Sequence, residues 1–241
     1  MGHLFSSIFT FLFDLVVPPR GTEERVQGLT LAKLQSAASG ESSLPYRNPD
    51  ITALVWELKY RRNPQATALA GEFIAEELMA IAAEELGKPL LIPVPMHAAR
   101  RRERGYNQTE MLCEASLFVL NKREGQTLSD RTLSQKVLGS PVRAGTQRGR
   151  PDFSQEGSIF EYAPNVLVRA RATPPQQGLP RFLRLKNIRG AMQVVDPERV
   201  RGRVCVVVDD VTTTGATFEE CKRVLKLAGA RAVHCVALAR S

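Results

Sequence analysis

Apolar residues recur in this chain with two different periods, and the two alternate along its length. Leu69, Phe73, Ile74, Leu78 and Ile81 form one stripe at helical spacing, while Glu72, Glu76, Glu77, Glu84 and Glu85 take the remaining surface. This predicts a helix over 64–86. Pro64 suits its first turn and Gly87 its C-cap. Residues 90–94 are short and wholly apolar, as a buried strand requires, and a helix over about 107–120 follows. Residues 204–208 are all valine or cysteine, a second buried strand. Over 217–228 a helix turns Phe218, Cys221, Val224, Leu225 and Ala228 inward and stops at Gly229; 232–238 is a third strand. Apolar strands alternating with amphipathic helices predict an α/β fold with a mostly parallel central sheet flanked by helices.

Three stretches break this rhythm. Leu4, Ile8, Leu12 and Leu15 recur at helical spacing beside Phe5 and Phe9, which predicts an amphipathic helix docked on the main domain as an N-terminal helical appendage. Residues 20–48 are polar, with Gly, Ser and Pro, and read as a linker. Residues 121–165 carry Arg, Gly, Ser, Gln and Thr with little periodicity. A structureless run of that length inside a compact domain reads as a flexible insertion. The expected organisation is 1–48 as helix and linker, then one domain over 49–241.

Composition sharpens the picture in one respect. Lys and Arg total 33 against 25 Asp and Glu, a net charge of +8 in 241 residues, which points to an anionic partner. Hydrophobic residues make up 43% of the chain, enough for a substantial core. No apolar run reaches the ~18 residues of a membrane span. None of the four cysteines stands in a C-x-x-C pair, which excludes a zinc ribbon on spacing, and all sit among apolar neighbours. The expected compartment is a reducing cytoplasm.

The chemistry concentrates where the second strand ends. Asp209 and Asp210 follow the valine run; Val211, Thr212, Thr213, Thr214, Gly215, Ala216 and Thr217 lead into a helix. Ligands of open α/β sheets bind beyond the carboxyl ends of strands. Unpaired N–H groups at a helix start, threonine hydroxyls and a glycine that admits close approach suit a phosphate. Two carboxylates beside a phosphate need something neutral or cationic to face, and either vicinal sugar hydroxyls or a Mg²⁺ shell fits. A phosphate next to a diol describes a ribose 5-phosphate.

This segment resembles the 5-phosphoribosyl pyrophosphate (PRPP) motif of type I phosphoribosyltransferases. Ile92-Pro93-Val94-Pro95-Met96-His97, Arg104-Gly105-Tyr106-Asn107-Gln108, Leu58-Lys59-Tyr60 and Asn187-Ile188-Arg189-Gly190-Ala191 make it similar to the ComF branch of that family, though no cysteine precedes Cys113 where many relatives carry an N-terminal zinc ribbon. The resemblance implies a type I phosphoribosyltransferase-like fold. It implies that Asp209 and Asp210 hold the ribose hydroxyls and that the loop over 211–217 holds the 5-phosphate. It places the pyrophosphate at Pro95, Met96 and His97, with Arg104 the foremost of the nearby arginines, and brings Mg²⁺ in with PRPP. Arg169 to Arg189 would correspond to a mobile loop over the substrate.

Thr213 stands where purine-specific relatives place an aspartate, so hypoxanthine or guanine salvage is disfavoured. Three functions follow from the resemblance. The first is phosphoribosyl transfer with loss of pyrophosphate to an acceptor the sequence does not name. The second is a PRPP- or nucleotide-binding regulator without turnover. The third is a DNA-uptake factor whose basic strips bind single-stranded DNA. A homodimer is left open.

Overall fold

The computed structural model describes residues 20–123, 158–171 and 187–241. Its described strands include β1 (Leu44–Pro45), β2 (Leu90–Pro93), β3 (Glu161–Tyr162), β6 (Val204–Thr212) and β7 (Ala232–Arg240). These make one sheet in the order β1-β7-β6-β2-β3, parallel at every pairing. A separate antiparallel ribbon joins β4 (Leu167–Arg169) to β5 (Met192–Val194). The expected α/β class with a mostly parallel sheet is what the chain adopts.

Both faces of the sheet are covered. On one lie α1 (Thr22–Gln27), α2 (Leu31–Ala38), α3 (Pro49–Trp56), α4 (Pro64–Glu84) and α6 (Gln108–Arg123); on the other lie α8 (Ala216–Leu227) and the ribbon. Leu91, Val206, Val208, Val236 and Leu238 pack toward the first group, and Leu90, Ile92, Cys205, Val207 and Ala237 toward the second. Side chains on a strand alternate between faces, so a strand covered on both sides must be apolar throughout. This is why residues 204–208 carry no polar position.

Two helices on the first face begin with the same device. Asn48 and Asn63 each precede a proline at the first helical positions, and their side chains accept from the N–H of Asp50 and Ala66 at 2.9 and 3.1 Å. Asparagine caps an orphan donor and proline supplies the helical φ, with the cap contributing about 1 kcal/mol. Between the two helices the chain makes a π-helical turn over Glu57–Arg61, closed by Arg62 in the left-handed region at φ 51°. Further on, α4 and α6 approach so closely at Gly71 that an added Cβ would lie 2.5 Å from that of Ala115.

Several expectations are corrected. The stretch over 20–48, read as a linker, forms α1, α2 and β1; Leu44 pairs with Ala239, and Val26 and Leu34 are fully buried. Many of its polar residues lie on the outer faces of short helices, too short for a stripe to stand out. Both ends of the stretch over 121–165 are regular structure, since α6 continues to Arg123 and Glu161–Tyr162 pairs with β2, while residues 124–157 lie outside the described residues. Helix α4 ends at Glu84, before Gly87 can cap it, where Glu85 turns extended. The amphipathic helix expected over 4–17 lies outside the described residues.

The most consequential difference concerns β6. It does not stop at the acids but runs through them, with Asp209 opposite Ala237, Val211 opposite Ala239 and Thr212 opposite Arg240. The neighbouring strand β7 is equally long, so the backbone ladder outlasts the apolar pattern.

Candidate functional site

At its carboxyl end β6 projects beyond β2. The Val94 N–H donates to the Val208 carbonyl at 2.9 Å, and past that point β7 alone accompanies the strand among the described residues. Asp209 and Asp210 therefore stand on a shelf with one open edge. Each carboxylate folds onto the next backbone donor: Asp209 Oδ1 accepts from the Asp210 N–H at 2.9 Å, and Asp210 Oδ1 from the Val211 N–H at 2.6 Å.

Strand alternation sends the two acids to opposite faces. Asp210 shares the face of α3 and the π-turn, where Lys59 Nζ lies 3.3 Å from its Oδ2. Both side chains are buried, at 11% and 7% exposure, and the contact is an ion pair outside hydrogen-bonding geometry, so Oδ2 has no hydrogen-bond donor. Asp209 shares the face of α8 and the ribbon, near Arg169 and Cys221. Burial and the neighbouring Asp210 charge push the Asp209 carboxyl up to about 8, against the pull of the Asp210 N–H and the Lys59 ammonium. Burial lowers the Arg169 guanidinium, Arg100 lowers it further, and Asp209 opposes both.

After Thr212 the chain makes a short open loop. Gly215 takes φ 76° as the residue before α8, a conformation that favours glycine, and a Cβ placed there would meet nothing within 4 Å. The Thr214 hydroxyl accepts from the Ala216 N–H at 3.4 Å, while Thr213, Thr214 and Thr217 are each partly exposed around this space. Val211 is half-buried, and Thr212 and Ala216 are buried beneath the loop.

The turn after β2 lies alongside. Pro95, Met96 and His97 are half-buried, and His97 caps α5 (Ala98–Arg104) by accepting from the Ala99 N–H at its Nδ1, 3.3 Å away. The basic residues that follow take different routes. Arg101 forms a two-pronged pair with Glu110. Arg104 bonds Gln108 at 3.0 Å and lies over the Tyr60 ring. It is Arg100 that the fold brings beside Arg169. Asn107 and Thr109 both donate to the Val94 carbonyl, at 3.2 and 2.7 Å, and the Tyr106 hydroxyl donates to the Lys59 carbonyl. The segment over 104–109 thus clamps β2 to the π-turn.

The ribbon carries the opposite wall. Arg171 donates to the carbonyls of Asn187 and Arg189 at 2.8 and 2.9 Å, tying both ends of the 172–186 stretch, itself outside the described residues. The Gly190 N–H donates to Glu220 at 2.7 Å, which docks this end on α8. Arg181, Arg184 and Lys186, expected in a basic loop, lie outside the described residues.

Lys59 is the residue that sequence reasoning missed as a site group. Leu58-Lys59-Tyr60 was visible as a resemblance, but an ion pair spanning some 150 positions leaves no trace in local pattern. Asp210 Oδ2, buried and without a donor, fits either a hydroxyl donor or a cation. Among the described residues no cluster of three metal-ligating side chains exists, so an ion beside the two acids would lean on oxygens of a ligand and on water.

The phosphoribosyl transferase domain family matches residues 167–241, the span holding the ribbon, both long strands and the loop between β6 and α8. Over 197 residues the chain is 30% identical to DNA utilization protein YhgH of Salmonella typhi, covering 80% of this chain and 68% of that one. Identity is again 30% over 195 residues with DNA utilization protein YhgH of Escherichia coli K12. The chain belongs to the ComF-like phosphoribosyltransferase-domain proteins. Competence protein F of Haemophilus influenzae is a more distant member, 28% identical over 152 residues, half the length of that protein. In this ComF-like chain the family match and the shelf of two acids coincide. Among the described residues no helix is long and apolar enough to cross a membrane.

Proposed function

We propose that this ComF-like protein binds Mg²⁺-PRPP at the carboxyl edge of the sheet and transfers its phosphoribosyl group to an acceptor with release of pyrophosphate. The observation that carries the reading is the buried, donor-free Oδ2 of Asp210 on a shelf that opens toward the glycine-bearing loop. A sugar laid across the end of β6 meets one carboxylate from each face. Its 2- and 3-hydroxyls donate to Asp209 and Asp210, and its 5-phosphate accepts from the N–H groups and hydroxyls of Thr213, Thr214 and Thr217.

Pyrophosphate would lie along Pro95, Met96 and His97, with Arg100 and Arg169 close enough to offset the charge it gains as it leaves. Mg²⁺, when bound with the ligand, supplies further neutralisation of that charge. The chain contributes position and electrostatics: it fixes the sugar, holds the leaving group and leaves C1 open to an acceptor. None of these roles needs a protein nucleophile.

Calorimetry with Mg²⁺-PRPP tests the site. The double variant Asp209→Asn, Asp210→Asn is expected to weaken binding by at least about a hundredfold, since each charge-assisted hydrogen bond contributes roughly 1.5–3 kcal/mol. Unchanged affinity would overturn the assignment. Pyrophosphate release in an acceptor panel then separates a transferase from a regulator that binds without turnover.

A further inference from the structure

Two sets of arginines stand out among the described residues. Arg25, Arg101, Arg199, Arg201, Arg203, Arg223 and Arg231 each pair with a carboxylate. Arg61, Arg62 and Arg104 do not; among the described residues each lies instead over an aromatic ring. Arg61 stands 5.6 Å from the Trp56 centroid, Arg62 4.3 Å from Tyr106 and Arg104 5.1 Å from Tyr60. Trp56 and Tyr60 in turn lie 5.1 Å apart. All three contacts meet at the π-turn, next to the lysine that reaches Asp210. A guanidinium stacked on a ring keeps its N–H groups directed outward in its own plane; Arg104 gives one of them to Gln108 at 3.0 Å, and among the described residues no carboxylate takes those of Arg61 or Arg62.

We propose that this patch binds the acceptor, and that the acceptor is a planar ring bearing a carboxylate. The carboxylate takes the in-plane donors of the arginines, and the ring stacks among Trp56, Tyr60 and the guanidinium planes. The proposal rests on the transferase reading for its chemistry, and it supplies what that reading lacks. In the step, the lone pair of an acceptor ring nitrogen forms the bond to C1 as the bond from C1 to the pyrophosphate oxygen breaks. Pyrophosphate leaves with that bond's electron pair. A pyridine-type nitrogen carries no proton, so none has to be removed, which agrees with threonine rather than a carboxylate at position 213. A neutral purine would need a base for its ring N–H, and among the described residues no carboxylate pairs with the three arginines of the patch.

Trp56 is the only tryptophan in the chain, so its fluorescence reports on the patch without PRPP. Titration with a pyridine carboxylate and a pyrimidine carboxylate is expected to give saturable quenching, at least about tenfold tighter than with neutral adenine. Arg62→Gln is expected to weaken it about tenfold, with circular dichroism as the check on folding. If that variant does not fold, the exposed Arg61→Gln carries the same comparison.

Absence of saturable quenching, equal quenching by adenine, or unchanged affinity in a folded arginine variant overturns the proposal. Preferential, steeply salt-dependent binding of an oligothymidylate also overturns it, and would assign the patch to single-stranded nucleic acid. Calorimetry with Mg²⁺-PRPP on the same sample reads the sugar site separately. Quenching without PRPP binding removes the transferase reading and keeps the patch; PRPP binding without quenching does the reverse.

Discussion

At the amino-terminal edge of the sheet, Glu161 is gripped by Arg199 at 2.7 Å and Arg203 at 2.9 Å, and Glu85 by Arg231 and His234. At the carboxyl edge, Asp209 and Asp210 crowd each other and share one lysine that does not hydrogen-bond. Burial acts to raise the Glu161 carboxyl, yet its two arginines outweigh that and hold it below the usual range, while Asp209 is pushed up. One edge is electrostatically finished and the other is not. An edge whose charges are already matched has nothing left for a ligand, whereas a strained pair of acids gains most when hydroxyl donors or a cation arrive. The contrast separates scaffold from site by chemistry, independently of family resemblance.

The contrast can be broken most forcefully at Lys59. Lys59→Met leaves the buried Asp210 charge without its ion-pair partner, and urea unfolding is expected to show a loss of about 3 kcal/mol. Adding Asp210→Asn in the same chain should recover most of it. At the opposite edge Glu161→Gln is expected to cost less, about 1–2 kcal/mol, because its pairs are about a third exposed to solvent. In the Mg²⁺-PRPP titration that variant should be indistinguishable from the parent.

The smallest effect is a difference in slope with pH. Asp209 has a folded value above its unfolded one, so the ligand-free protein keeps a proton that the unfolded chain has released. Its contribution to stability is therefore fully present below the usual carboxylate value and declines as pH rises toward about 8. Glu161 has the opposite sign, and its contribution is lost as pH falls through its depressed value. Melting curves of Asp209→Asn should lack the decline between the usual carboxylate value and about 8, and those of Glu161→Gln the loss on the acid side.

Much of this was legible from the chain. The strand core over 204–208 and the helix that begins at Pro64 follow from period and capping, because both-face burial and stripe burial leave distinct patterns. The acid pair and glycine loop were readable because a local segment builds them. The linker reading of residues 20–48 failed because α1 and α2 are six and eight residues long, less than the window in which a stripe becomes clear. The acids were expected at a strand tip, whereas they lie within a ladder set by β7, which no property of residues 209 and 210 reveals. Lys59, Arg62 and Tyr60 were out of reach for a third reason. Their roles come from partners tens of residues or more away and from a π-turn that has no sequence signature of its own.

That turn has a consequence for how the chain tolerates change. A π-turn holds one residue more than the α-helix needs. Deleting a single position between Glu57 and Arg61 would let the helix close into ordinary geometry with its flanks still in register, while the side chains remaining in the turn would rotate by up to about 100° against their partners. The ammonium would leave the strand and the stacked rings would part, and only at Leu58 would the deletion also remove an apolar residue of the core. Scanning deletions through this segment should therefore yield chains that fold yet have forfeited both halves of the crevice at once.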